Sequence, residues 1–306
     1  MPETPASAPS AHRLDPAAVR RSQLRLLSAA EPPWLHQEAA RRMADRLAFI
    51  RQPPQRVLDW SLEGGLDVAP ALRAACPGAR LQRLRPDAPE GAAPSWWSRW
   101  LGRVRPRGAA DVPLQALAEG GADLLWSGML LHREEDPPAL LARWRQALAA
   151  EGFVMFTTLG PGTLAPLRAL YARMGWPEPF APFVDMHDLG DMMVAAGFAD
   201  PVMDQDVLYL TYRSPKDLLD ELRTLGGNLS PLRGTGLRTP RWRARLLSEL
   251  EKLAGPDGRI EMPFELVHGH AFRAPDRGPA VAAETRIGVE DMKLMLRKPP
   301  RADTCA

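Results

Sequence analysis

The sequence predicts a doubly wound α/β fold on a mostly parallel sheet, and three observations predict it. Short apolar runs such as Val57-Leu58, Leu124-Leu125-Trp126 and Phe153-Val154-Met155-Phe156 are bounded by polar or turn-forming residues, as buried strands are. Stretches of helical length separate them, and parallel neighbours need crossovers of that size. The 306 residues, 45% of them hydrophobic and 25% charged, can bury a substantial core.

Residues 1–14 are dominated by Pro, Ser and Ala at their start and are expected to be disordered. In 15–52, Val19, Leu24 and Leu27, then Leu35, Ala39, Met43, Leu47 and Ile50, recur at helical spacing on either side of Pro32-Pro33, which reads as a two-helix cover. The core, 53–160, alternates: a strand at 56–60 that carries Asp59 and runs into a glycine-bearing turn, a helix at 69–75, strands at 79–84 and 123–127, a helix at 138–149 and a strand at 153–157. From 161 to 274 come helices at 164–174 and 187–196, a strand at 207–212, helices at 215–225 and 240–253, and a last strand at 262–272. A strand, a helical insertion and a returning strand predict two antiparallel edge strands with a helical lid between them. Residues 275–306 read as a flexible tail, and there is no internal repeat.

Composition narrows the function. Lys+Arg of 39 against Asp+Glu of 37 leaves a net charge of +2, so the overall field does not mark a nucleic-acid binder. The basic residues are almost all arginine, and with 32 prolines this reads as the codon bias of a GC-rich genome. Two segments still concentrate arginine beside tryptophan: 73–107, with Trp96, Trp97 and Trp100, and 233–245, with Trp242. The first reads as a solvated loop in preference to a single-strand nucleic-acid platform. Cys76 and Cys305 cannot build a disulfide framework or a zinc cluster. No signal-like start and no apolar run of about 18 residues is present, so a cytoplasmic protein without a membrane partner is expected.

A strand ending in an acid, a glycine turn and a helix form a ligand-binding design at the carboxyl ends of a parallel sheet. Here that design is Val57-Leu58-Asp59-Trp60-Ser61-Leu62-Glu63-Gly64-Gly65. Beside it stand Phe156-Thr157-Thr158-Leu159-Gly160-Pro161-Gly162-Thr163-Leu164, Asp185-Met186-His187-Asp188-Leu189-Gly190-Asp191, Leu225-Gly226-Gly227-Asn228 and Phe264-Glu265-Leu266-Val267-His268-Gly269-His270. With these motifs the chain, from about residue 18 to 272, resembles the class I S-adenosylmethionine-dependent methyltransferases of the biotin pathway, the malonyl-[acyl-carrier protein] O-methyltransferases. The resemblance implies a Rossmann-like sheet and S-adenosylmethionine held by Asp59, Ser61, Glu63, Gly64, Gly65, Asp111 and Ser127. It also implies an acidic acyl carrier protein presenting a malonyl thioester, whose free carboxylate is methylated. A carboxylate is already a nucleophile, so no catalytic side chain is implied beyond alignment of donor and acceptor. A cationic holder is needed instead, and His187, Arg238 and Arg241 are the candidates.

The cofactor motif departs from the family's Asp-Leu-Gly-Cys-Gly-Thr-Gly. Ser61 and Glu63 stand at glycine positions, and the strand at 79–84 runs into arginines where an acid is expected. A Glu63 carboxylate facing the cofactor's own carboxylate at ~4 Å would cost ~4 kcal/mol at an effective dielectric near 20. Three readings stay open at this point: a divergent active enzyme, a non-catalytic relative that keeps a carrier-binding lid, and a pocket reused for another ligand. The direction of Glu63 separates them. The family also places a tyrosine in the cover, for which Trp34 is the nearest aromatic. His268 and His270 share a strand face but lack metal-ligand companions, so a structural role is expected. Asp188 is expected to cap its helix, and Met186, Met192 and Met193 to lie in the core.

Overall fold

The computed structural model describes residues 13–29, 31–50, 53–61, 70–85, 110–113, 121–234, 236 and 238–274. Within them one seven-stranded sheet is built from β1 (Arg56–Asp59), β2 (Arg80–Arg85), β3 (Ala110–Pro113), β4 (Ala122–Gly128), β5 (Leu148–Leu159), β6 (Phe198–Tyr212) and β7 (Ile260–Arg273). The order is β3-β2-β1-β4-β5-β7-β6. β1 to β5 are parallel, and β7 lies antiparallel between β5 and β6. The helices are α1 (Pro16–Ser28), α2 (Trp34–Leu47), α3 (Pro70–Ala75), α4 (Pro137–Ala147), α5 (Ala165–Arg173), α6 (Met186–Ala195), α7 (Pro215–Thr224) and α8 (Pro240–Glu251).

The α/β class and nearly every element follow the sequence pattern. Two strands do not. β3 was not expected, because Ala-Asp-Val-Pro has neither an apolar run nor alternation; it exists through its pairing with β2, where Asp111 lies opposite Arg83. β6 starts well before residue 207 because a bulge between Ala199 and Val202 absorbs Asp200, which adopts φ 48°, and Pro201. Its half-exposed face also lowers its apolar content.

Both faces of the sheet are covered. On one, Leu140, Leu141 and Trp144 of α4 and Met193 of α6 pack on Leu125, Val154 and Phe156. On the other, Met43 and Leu47 of α2 pack on Val57, Leu124, Trp126 and Met155. α5, α7 and α8 close over Phe264 and Leu266 of β7 through Leu167, Leu170, Leu218, Leu246 and Leu250. Met186 and Met192 pack against the core as expected. No helix among the described residues is long and apolar enough to cross a membrane.

The helix starts are chemically marked. Asp136, Ser214 and Thr239 accept from the backbone N–H groups of Ala139, Asp217 and Trp242, each ahead of a proline at the first turn. For α6 the cap is Asp185, which accepts from His187 N at 2.8 Å; Asp188, expected to cap, already lies inside the first turn. Order at the N-terminal end begins earlier than residue 15, since Leu14 is buried with Ala18, Val19, Ala181 and Leu229. Residues 1–12 and 275–306 lie outside the described residues.

Asp15 joins cover to lid. Its Oδ1 accepts from Ala18 N at 2.9 Å, its Oδ2 pairs with Arg233 Nη2 at 2.6 Å, and its own N–H donates to Leu229 O at 2.9 Å. Asp15→Ala removes the cap and the pair and is expected to lower the urea midpoint. Arg233→Ala, which keeps the cap, should cost less.

Candidate functional site

The site begins where the sheet order reverses. β1 and β4 are adjacent, each the first strand of a half running outward in opposite directions, and ligands of open α/β sheets sit beyond the carboxyl ends of such strands. Trp60 N donates to Trp126 O at 2.7 Å, holding the two strand ends together. Asp59 is 1% exposed. Its Oδ1 accepts from Ser61 N at 3.1 Å and its Oδ2 faces Arg83 Nε at 3.3 Å, with Arg83 itself buried. Ser61 Oγ accepts from Gly128 N at 2.9 Å, and Ser127 Oγ donates to Trp60 O at 3.1 Å.

Asp59, Ser61 and Ser127 are therefore brought together. Asp111 is placed by its backbone on the strand beyond β2, opposite Arg83. Glu63, Gly64 and Gly65 lie outside the described residues, as does most of the arginine-rich segment 73–107. Trp34, half exposed at the start of α2, lines a cleft of about 580 Å³ with Gln37, Pro70 and Ala71, beside the start of α3.

On the acceptor side, the three residues implied by the resemblance are all exposed. His187 is 80% exposed, and its Nδ1 lies 2.7 Å from Asp185 Oδ1 at the helix start. Arg238 is exposed and stacks over the Trp242 ring at 4.4 Å, on the wall of a lid cleft of about 500 Å³. Arg241 is exposed on α8. None of the three lines the more enclosed cavity of about 120 Å³ between β5, α5, α7 and the turn at 225–229.

That cavity contains two residues the sequence reading missed, His132 and Arg133. They sit on a short turn immediately past β4. His132 N donates to Thr158 Oγ1 at 3.0 Å, and its ring meets Phe183 edge-on. Arg133 is 3% exposed; its Nη1 donates to Leu225 O at 3.0 Å and its Nη2 to Ser22 Oγ. Burial, and secondarily the charge of Arg25, pushes its pKa down to about 10. The available signal was a histidine and an arginine directly behind an apolar strand, Leu130-Leu131-His132-Arg133, where solvation would be lost on folding.

The turn leaving β5 is built from a motif the sequence reading did single out. Gly162 N donates to Glu265 Oε2 at 2.7 Å and Gly160 N to Glu265 O at 3.0 Å, and a Cβ at either glycine would strike the Glu265 side chain. The paired histidines of β7 separate in role: His268 is buried with Nδ1 2.9 Å from Thr157 Oγ1, and His270 is only partly buried. The described residues contain no group of three or more His, Cys, Asp or Glu suited to a metal ion.

Five parallel strands extended by an antiparallel strand between the fifth and the edge, with a polar strand-end site at the reversal point, define a class I methyltransferase-type fold. Curated relatives named malonyl-[acyl-carrier protein] O-methyltransferase are 36% identical in Gallionella capsiferriformans, over 79% of this chain and 85% of that one, and 36% identical in Laribacter hongkongensis, over 88% and 90%. A third, from Halorhodospira halophila, is 34% identical over 86% and 90%. The chain belongs to the malonyl-[acyl-carrier protein] O-methyltransferase family. Among solved structures, the 1,6-didemethyltoxoflavin-N1-methyltransferase of Burkholderia thailandensis is similar over 89% of this chain and 93% of that one, at 18% identity and TM-score 0.44. No family model matches the chain.

Proposed function

We propose that this chain is an S-adenosylmethionine-dependent O-methyltransferase of the biotin pathway that esterifies the free carboxylate of a malonyl thioester borne by an acyl carrier protein in the cytoplasm. The observation that carries this reading is kinship across nearly the whole chain with relatives of that name. The geometry supports it in two places. Among the described residues, Arg83 Nη2 is buried without a hydrogen-bond partner beside Asp59, a donor that a ribose hydroxyl or a carboxylate would satisfy. The residues present thus fit the cofactor, and Asp59, Ser61, Arg83 and the Gly128 backbone would hold it.

When bound, the cofactor supplies an activated methyl group. A carboxylate acceptor is already ionised at neutral pH, so the chain's own residues need take up no proton. The protein's contribution is alignment and exclusion of water. Arg241 and Arg245 are exposed one turn apart on α8, a basic patch complementary to an acidic carrier protein.

One observation favours a second reading, a non-catalytic carrier-binding relative: both Asp59 oxygens already have partners in Ser61 N and Arg83. Calorimetric titration with S-adenosylmethionine, followed by mass spectrometry of malonyl carrier protein incubated with enzyme and cofactor, separates the two. Saturable heat and a methyl ester product are expected. Absence of heat at millimolar cofactor would overturn the enzymatic reading.

A further inference from the structure

We infer that Arg133 is the positioning residue that receives the free carboxylate of the acceptor, in the cavity between the end of β5 and the lid. This deepens the proposed function and rests on it. The cavity wall is apolar where Leu159, Leu164, Phe180, Phe183 and Phe264 line it, and Arg133 is the cation at its edge. Such a space suits a short acyl chain ending in one negative charge.

Arg133 is held but not neutralised. Its two terminal nitrogens donate to neutral acceptors, Leu225 O and Ser22 Oγ, while buried Nε has no hydrogen-bond partner among the described residues. No carboxylate of the described residues pairs with it, and Arg25 adds a like charge nearby. A buried, uncompensated cation is costly to maintain. With its pKa near 10 it remains charged at neutral pH, so the seat is short of one anion. Glycine at 226, φ 103°, keeps the seat open: a Cβ there would collide with both Ser22 and the Arg133 guanidinium. The anchor points also come from α1 and the lid turn, so the guanidinium is fixed before ligand arrives.

An arginine that only bolts cover to lid would have the same two anchors, and the test separates that role. Binding of malonyl-pantetheine and of its methyl ester is measured for wild type, Arg133→Met and Arg133→Lys, with thermal melts as the folding control. Arg133→Met is expected to weaken malonyl-pantetheine about 100-fold, as loss of a charge-assisted pair does, and to change the methyl ester less than about 3-fold. Arg133→Lys should recover part of the loss. Equal losses for both ligands, or none, would overturn the assignment. If Arg133→Met fails to fold, the wild type decides: it must bind the malonyl form at least about 10-fold more tightly than the ester, and a preference for the ester overturns the proposal. Selective binding without methyl transfer defeats the enzymatic reading and leaves this site standing. Methyl transfer with unselective binding does the reverse.

Discussion

Arg83→Met is expected to cost about 3–5 kcal/mol of folding free energy, the penalty for leaving one member of a buried ion pair alone. Asp59 and Arg83 are 1% and 4% exposed, on neighbouring strands β1 and β2 and opposite each other in register. Without the guanidinium, the Asp59 carboxylate retains one described hydrogen bond, from Ser61 N, in a place water does not reach. Arg83→Met combined with Asp59→Leu should cost less than Arg83→Met alone, because the double variant removes the stranded charge while keeping the volume. Urea denaturation of the wild type and the two variants checks this, and a loss below about 1 kcal/mol in the single variant would mean that Asp59 is neutralised by something else. The two variants also divide stability from binding. Both should lose cofactor affinity if the pair holds the cofactor, although only one is severely destabilised.

That pair shows what the sequence could and could not disclose. Asp59 was legible because a strand closed by an acid before a glycine turn is a local pattern, and Ser127 because it ends an unmistakable apolar strand. Arg83 read as a departure from the family's acid; its meaning depends on register across two strands, which no local pattern contains. The same holds on the acceptor side. His187 and the lid arginines attract attention as charges near a helix start or in a cluster, yet exposure is where charges are solvated cheaply, and there the structure leaves them. Arg133 was passed over as one arginine among many. It differs only through the packing of α1, the β4 exit and the lid turn around it, contacts far apart in the chain. The fold was more legible than the site because strand and helix periodicity is local, whereas a binding seat is assembled from non-local neighbours. β3 is the exception that fits the rule: a strand made by its partner.

Acid should destabilise this protein first through its buried histidines. Burial, reinforced by Arg133, pushes His36 down to about 3; burial and Arg46, against the opposing pull of Asp206, push His268 down to about 4. Both rings are 3% exposed. In the unfolded chain an imidazole titrates near 6.5, so between about pH 6.5 and 4 the unfolded state binds more protons than the native one. Stability therefore rises with pH across that window and is lost as pH falls through it. By pH 4 the loss is on the order of 3 kcal/mol for each ring. Carboxylates held low by arginine, such as Glu38 at about 2, act with the same sign but only below their unfolded value of about 4.5. Glu134 and Glu221, raised by burial, act oppositely above about 4.5 and blunt the slope there. The upper part, about pH 6.5 to 5, belongs to the histidines. Urea midpoints measured through it should fall steadily in the wild type. His268→Asn, which leaves the Thr157 hydroxyl a partner, should remove part of that slope, the rest belonging to His36 and to His270, which burial also holds low. An unchanged slope would show that His268 is solvated or already protonated in the folded protein.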